Sequence, residues 1–455
     1  MAIQLSDSDY PRAHPAAGRT HAAGRTHAAR AARGLLLLVA LPGFAAQADT
    51  PPAAAPSVDS VPAAATAPAE TGPVARGHYL ATLGNCTSCH TREGGTPFAG
   101  GVAFKTDFGT LYSSNITSDA KAGIGGWTLA QFVRAMREGV DDEGEHLYPA
   151  FPYPEFSKLS DADLADLYAY LKTLAPSGEV APPNELRFPY NQRSLLALWN
   201  TLYFKPALFQ PDTARSAEWN RGAYLVQGLG HCGACHTPRN FLGAEKADAA
   251  LAGGAYLDAV SGTDIRPWSA VNLTSAASGL KAWTVADLAS YLKTGHGSRT
   301  GAYGPMNEVI LNSTRFWTDA DLQAVAVYLK ALPPNETSPN QSLDDKQRNA
   351  GETVYTINCG TCHLPTGLGS TPGSELGPPL VGSAIVQSAD PAALINIILY
   401  GAQVVSPAPA QGWKNMKAFG TILEDEDVAA LANYLRASWG NRGGKVTAAD
   451  VARQR

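Results

Sequence analysis

Apolar side chains in this chain fall mostly at three- and four-residue spacing, the repeat of a helix with one buried face. The pattern is clearest in three stretches built alike. Ser160-Asp161-Ala162-Asp163-Leu164 leads to Tyr168-Ala169-Tyr170-Leu171-Lys172, Thr318-Asp319-Ala320-Asp321-Leu322 to Tyr328-Leu329-Lys330, and Glu424-Asp425-Glu426-Asp427-Val428 to Tyr434-Leu435-Arg436. Ser160 and Thr318 suit the N-cap, where a side-chain oxygen accepts from an otherwise unpaired amide, and the acids suit the positive end of the helix dipole. An earlier helix precedes each. Trp127-Thr128-Leu129 opens one ending near Gly139, Trp283-Thr284-Val285 one ending near Gly295, and Pro391-Ala392-Ala393 one ending near Gly401, because glycine readily closes a helix. No run after Ala48 alternates apolar and polar residues for long enough to make a sheet, so the expectation is all-α.

Each unit also begins alike. Arg76-Gly77-His78-Tyr79-Leu80 returns as Arg221-Gly222-Ala223-Tyr224-Leu225, and a diverged copy stands at Ala350-Gly351-Glu352-Thr353-Val354-Tyr355. These repeats predict three small helical domains at 74–175, 220–332 and 345–441, each with its own core. A chain of 455 residues, 45% of them hydrophobic, can supply that much core.

The connecting segments differ in kind. Residues 1–48 read as an export segment with a low-complexity extension: Arg30 and Arg33 precede an apolar run from Leu35 to Leu41, and Ala46-Gln47-Ala48 offers a cleavage site. Residues 49–73 form an Ala/Pro-rich tether. The linker at 176–219 contains Leu195-Leu196-Ala197-Leu198-Trp199, a segment expected to pack across a domain seam rather than against a partner or membrane. A second linker spans 333–344, and 442–455 is expected to be a tail with no spanning helix. The formal net charge of -5 lacks the basic footprint of a nucleic-acid binder.

The six cysteines carry the chemistry. They occur only as Cys86-Thr87-Ser88-Cys89-His90, Cys232-Gly233-Ala234-Cys235-His236 and Cys359-Gly360-Thr361-Cys362-His363. Spacing of three puts both thiols on one side of a helical turn, where they can add to the two vinyl groups of one haem, and the adjacent histidine then reaches the iron as proximal ligand. A disulfide or redox pair does not call for histidine next door three times, and zinc needs further paired ligands. The expected cofactors are three covalently bound haem c groups, with metal ligands His90, His236 and His363.

Four methionines bound the choice of far-side ligand. Met306 and Met416 precede the terminal helices of units two and three at matching positions and are the expected axial ligands. Unit one breaks the pattern, with Ala150-Phe151-Pro152-Tyr153 at that place. Met136 falls inside a helix and reads as core; His146, His78 or an open sixth site are the alternatives, so the first haem is expected to lack methionine and to differ in potential. Each proximal histidine needs a fixed acceptor. The proline-bordered Gly377-Pro378-Pro379-Leu380 offers a backbone carbonyl, and Asn115-Ile116-Thr117 and Asn272-Leu273-Thr274 hold corresponding places.

Together with Leu147-Tyr148-Pro149-Ala150-Phe151-Pro152-Tyr153, Arg187-Phe188-Pro189-Tyr190-Asn191 and Ser216-Ala217-Glu218-Trp219-Asn220, these motifs resemble the triheme cytochrome c subunits of bacterial membrane-bound dehydrogenases. That family serves alcohol, gluconate, sorbitol or fructose and aldehyde dehydrogenases, with related subunits in nicotinate dehydrogenase. The likeness covers about residues 74–441. It implies three tandem class I cytochrome c domains in the periplasm, peripheral to the inner membrane. It implies as partner a catalytic dehydrogenase subunit of quinoprotein, flavin or molybdenum type, with a small third subunit as a further candidate, and ubiquinone or a terminal oxidase as acceptor. No general-base constellation or nucleotide loop accompanies the motifs, so no catalytic residue is expected in this chain. The rival readings are a peroxidase-like enzyme using an open first haem, with His146 as its acid-base group, and a freestanding multihaem carrier.

Overall fold

The computed structural model describes residues 72–261, 264–404 and 412–455, without the side chains of 259–264. The expected export segment and all but the last two residues of the tether lie outside the described residues. The first repeat runs α1 (Pro73–Leu83), α2 (Cys86–His90), β1 (Ala103–Thr106), β2 (Gly109–Tyr112), α3 (Leu129–Glu138), α4 (Tyr153–Phe156) and α5 (Asp161–Leu171). β3 (Glu185–Leu186) and α6 (Leu195–Tyr203) follow. The second repeat has α7 (Ala217–Gln227), α8 (Gly233–His236), β4 (Gly254–Ser261), β5 (Asp264–Ala270), α9 (Val285–Thr294), α10 (Pro305–Asn312) and α11 (Asp319–Ala331). The third has α12 (Asp345–Asn358), α13 (Gly360–His363), α14 (Ala392–Tyr400), α15 (Asp425–Ala437) and α16 (Ala448–Ala452).

The sequence signals for the helices are realised as hydrogen bonds. Ser160 Oγ accepts from the Asp163 amide, and Thr318 Oγ1 from the Asp321 amide, both at 3.1 Å. Thr128 and Thr284 form capping boxes with Gln131 and Asp287, and α3 and α9 close on left-handed Gly139 and Gly295.

In every repeat the first helix crosses the last, α1 on α5, α7 on α11 and α12 on α15. The recurring glycine explains how. A Cβ on Gly77 would lie 1.9 Å from the Asp166 carbonyl oxygen, one on Gly222 2.0 Å from that of Ala324, and one on Gly351 2.4 Å from that of Ala430. Only glycine lets the two backbones meet there. The basic residue closing each Tyr-x-x or Tyr-Leu stretch has a common job as well: Lys172 Nζ donates to Gly125 O, Lys330 Nζ to Leu280 O at 2.8 Å, and Arg436 Nη1 to Val386 O at 2.9 Å. The last helix is thereby tied to the loop before the middle helix.

The helical architecture is not purely α. β1, β2 and β3 form an antiparallel sheet, and β4 pairs with β5 as a hairpin from Gly254↔Ala270 outward. The hairpin packs against β1 on one side and α14 on the other. Pro267 within β5 disguises the hairpin in the sequence, because proline cannot donate to a strand ladder.

Core packing also departs from three separate cores. The first two repeats share one continuous cluster, in which Leu164 and Leu167 belong to the same packed set as Leu225 and Leu322. The third repeat has its own, around Tyr355, Ile395 and Leu431. The last residues are part of that cluster through Val446 and Val451 rather than trailing from it.

The seam between the first two repeats is reciprocal. Tyr79 of the first donates to Asp321 of the second at 2.8 Å and accepts from the Thr318 amide at 2.9 Å. Tyr224 of the second donates to Asp163 of the first and accepts from the Ser160 amide at 3.1 Å. The apolar linker segment reinforces this seam: Trp199 Nε1 donates to Leu242 O at 3.0 Å, and Phe204 stacks edge-on against Tyr153. Its other face, with Leu195, Leu198 and Leu202, is exposed. The third repeat docks on the second through α14 against β5 and through buried Trp413, with hydrogen bonds from Trp413 Nε1 to Gly297 O and from Asn396 Nδ2 to Pro267 O, both at 2.8 Å.

Candidate functional site

Each cysteine pair lies on a short helical turn directly after the first helix of its repeat. In the first two repeats the chain reverses into that turn through a left-handed residue, Asn85 at φ 50° and His231 at φ 34°. All six thiols are free. Burial pushes Cys86 and Cys232 up to about 12 and Cys89, Cys235 and Cys359 up to about 11. A reactive redox pair or a zinc thiolate needs the opposite shift. Among the described residues no three His, Cys, Asp or Glu side chains converge as a bare metal site would require.

The histidines share one geometry. His90 Nδ1 lies 2.7 Å from Ser114 O, His236 Nδ1 2.7 Å from Val271 O, and His363 Nδ1 2.8 Å from Pro378 O. A carbonyl oxygen only accepts, so Nδ1 carries the proton and Nε2 keeps its lone pair. Burial, partly offset by this hydrogen bond, lowers all three imidazole pKa values and favours the neutral, ligating form. The proline-bordered loop thus supplies the third acceptor through Pro378. In the other repeats the acceptor is the residue just before the asparagine. Asn115 and Asn272 hold that loop in shape: Oδ1 accepts from the amide and hydroxyl of Thr117 or Thr274, while Nδ2 donates to Ser177 O and Glu179 O, or to Asn335 O.

These residues fit haem c. Paired neutral thiols stand one helical turn apart beside an imidazole whose free nitrogen is Nε2. In the third repeat the ring lies against Gly377, where a Cβ would come within 2.5 Å of His363 Cε1, so the loop closes flat on the imidazole.

The other expected ligands are placed as follows. Met306 is half-buried in the first turn of α10, where Gly304 (φ 58°) leaves room for the Trp268 ring of β5. A Cβ on Gly304 would meet that ring at 2.8 Å, a role for Trp268 that only the hairpin reveals. Met416 packs beside the third core, its amide donating to Ala402 O at 3.0 Å. Met136 is buried core on α3. Phe151 packs on Phe156, and Leu159 is buried. His146 Nδ1 lies 3.4 Å from Asn200 Nδ2, and exposed His78 stacks on Tyr170 with centroids 5.0 Å apart.

The first two motifs lie near each other across the seam: His231, just before the second, places Nε2 3.3 Å from Gly84 O, just before the first. Asn312 Nδ2, on α10, donates to Ser88 Oγ inside the first motif at 2.8 Å. Sequence reasoning did not find a further buried group there. Glu155, on α4, faces Glu245 of the second repeat, and its carboxyl is pushed up to about 8, chiefly by burial and then by Glu245, against the pull of Lys158.

Comparison with known proteins agrees with this geometry. The cytochrome c family model matches residues 74–175 and 349–439. The quinone-dependent alcohol dehydrogenase cytochrome c subunit of Gluconobacter oxydans is 37% identical over 84% of this chain and 82% of that protein. The gluconate 2-dehydrogenase cytochrome c subunit of Pantoea cypripedii is 39% identical over 83% and 88%. A nicotinate dehydrogenase subunit of Pseudomonas putida is 41% identical over 79% of this chain, which spans only 30% of that longer protein. A chain that aligns with cytochrome c subunits over more than four fifths of its own length and of theirs belongs with them: it is a member of the family of dehydrogenase cytochrome c subunits, and covalently bound haem c is the cofactor of its cytochrome c domains.

Proposed function

We propose that this chain is the electron-relay subunit of a periplasmic dehydrogenase complex and holds three haem c groups. Cys86 and Cys89, Cys232 and Cys235, and Cys359 and Cys362 are the attachment residues; His90, His236 and His363 are the proximal ligands, and Met306 and Met416 the far-side ligands in the second and third repeats. Haem c supplies one-electron redox chemistry at its iron. The chain's own residues present Nε2 of each histidine and hold the first two motifs at a set distance. Substrate oxidation belongs to a catalytic partner subunit, and ubiquinone or a terminal oxidase takes the electrons onward. The association with the membrane is peripheral or through partners; among the described residues no helix is long and apolar enough to cross a bilayer.

The observation that carries this reading is the threefold hydrogen bond from histidine Nδ1 to a backbone carbonyl, which leaves Nε2 as the only ligand nitrogen in all three motifs. The test is haem content by pyridine haemochrome and intact mass. The wild-type chain should carry three haems and each double Cys→Ser variant two, and the dehydrogenase subunit that co-purifies with the chain should reduce it only in the presence of that subunit's substrate. A wild-type chain with two haems, or no reduction by that dehydrogenase, refutes the reading.

A further inference from the structure

Helix α10 carries Met306 in its first turn and lies outside the large core that the first two repeats share. Its fully buried Ile310 packs with Ala302 in a satellite cluster that also takes in Tyr291, Met306 and Leu311. So small an apolar anchor leaves much of the placement of the helix to its polar contacts.

The polar side chains at its two ends reach into other repeats. At the C-terminal end, Asn312 Nδ2 donates at 2.8 Å to Ser88 Oγ, which itself donates to Asn85 Oδ1 at 2.8 Å. Ser313 Oγ donates to Thr82 O at 2.6 Å and accepts from Trp317 Nε1 at 2.9 Å. These ties grip the turn that leads the first repeat into its cysteine motif. At the N-terminal end, Asn307 donates Nδ2 to Gln403 O of the third repeat at 2.9 Å. Gln403 is held in turn: its Oε1 accepts from Asn415 Nδ2 at 2.7 Å, and the Val404 amide donates to Asn415 Oδ1 at 3.0 Å. Asn307 follows Met306 and Asn415 precedes Met416, so hydrogen bonds through Gln403 join the neighbours of the two expected far-side ligands.

We infer that Asn307 and Asn312 are positioning residues for Met306: the far-side ligand of the second haem is set in place from the third repeat at one end of α10 and from the first repeat at the other. The inference rests on the haem reading and on Met306 as ligand. A methionine thioether raises the potential of a histidine-ligated haem, and it does so only at bonding distance from the iron. Met306 and Asn312 are about 9 Å apart along the helix axis, so slack at either tie is passed through a stiff element to the sulfur. The second haem thereby registers whether both neighbouring repeats are docked.

The experiment uses the full-length haem-loaded chain, with haem content checked first. Asn307→Ala and Asn312→Ala should each lower the potential of one haem, the same one affected in Met306→Leu. Each should also lose one methionine-to-iron charge-transfer band on warming before the chain unfolds. Ser88→Ala breaks the same tie from the other side, and Ala234 already stands at that place in the second motif. It should reproduce Asn312→Ala, and combining the two should shift the potential no further than either alone, while Ser88→Thr should keep wild-type values. Tyr224→Phe weakens the same seam away from α10 and should leave every potential unchanged. Potentials and bands unaltered in both Asn307→Ala and Asn312→Ala, or an equal shift in Tyr224→Phe, would overturn the inference. A Met306→Leu chain that keeps every band would instead overturn the ligand reading, which separates the two failures.

Discussion

The hydroxyl of Tyr79, in the first repeat, donates at 2.8 Å to Asp321, a carboxylate of the second repeat that is already gripped in two places by Arg221. Tyr224 makes the matching contact with Asp163. The third repeat has Thr353 at that place, its hydroxyl turned to Asn349 O within its own helix. Only two of the three repeats are therefore built to clasp one another.

Tyr79→Phe leaves the ring in place and removes a hydrogen bond to a charged acceptor, a loss of about 1.5–3 kcal/mol. Urea unfolding of the haem-loaded chain should show it. Tyr224→Phe should cost a similar amount, and the double variant should depart from the sum of the two, because Arg221 holds Asp321 and also lies over the Tyr224 ring and so couples the contacts.

Ion-pair geometry predicts an asymmetry. Arg221 and Asp321 are 19% and 6% exposed at their side chains, whereas Arg76, paired with Asp166, is 47% exposed. Arg221→Ala strands a buried carboxylate and should destabilise by about 3–5 kcal/mol. Arg76→Ala should cost less, because Arg76 is itself largely exposed and its attraction to Asp166, 11% exposed, is screened by water. Equal losses in thermal unfolding would contradict this account.

Gly222→Ala drives a methyl group into the Ala324 carbonyl, so the crossing helices must separate. Overpacking of this kind costs about 1–3 kcal/mol or more. Haem yield and melting temperature should both fall. Gly178→Ala, where nothing lies within 4 Å, is the matched control and should leave both unchanged.

Met306→Leu and Met416→Leu should each remove one methionine-to-iron charge-transfer band in the near infrared and lower one potential, with two such bands in the wild type. Met136→Leu should remove none and, as a near volume-conserving core change, cost under about 1.5 kcal/mol. Three bands in the wild type would show that the first repeat also uses methionine.

Stability should itself depend on pH through Glu155. Its carboxyl keeps its proton up to about 8 in the folded chain but gives it up near 4.5 once unfolded. Between those values the native state binds more protons, so stability falls as pH rises across that window. Glu155→Gln should flatten the decline in pH-dependent chemical denaturation.

Helices, motifs and the repeat were legible because their signals are local: Ser160 caps within three residues, and Cys86 needs only Cys89 and His90 beside it. Gly77 was visible as a repeated residue but not as a crossing point, since its reason lies at Asp166, far along the chain. The hairpin was missed because Pro267 stands in the middle of its second strand. Asn115 and Asn272 stood at recognisable places, yet the acceptor proved to be the neighbouring backbone. The buried carboxyl of Glu155 feels Glu245 of another repeat, and no spacing rule could join them.

The shared core has one more consequence. Between the first two motifs the separation is set by interlocked side chains, which resist compression, so with haem at both motifs as proposed that gap is a fixed tunnelling distance. Between the second and third repeats the packed clusters are separate, and hydrogen bonds such as that of Trp413 to Gly297 O help to join them. Conditions that weaken polar contacts should therefore slow electron passage into or out of the third repeat first, and make that junction the throttle of the whole chain.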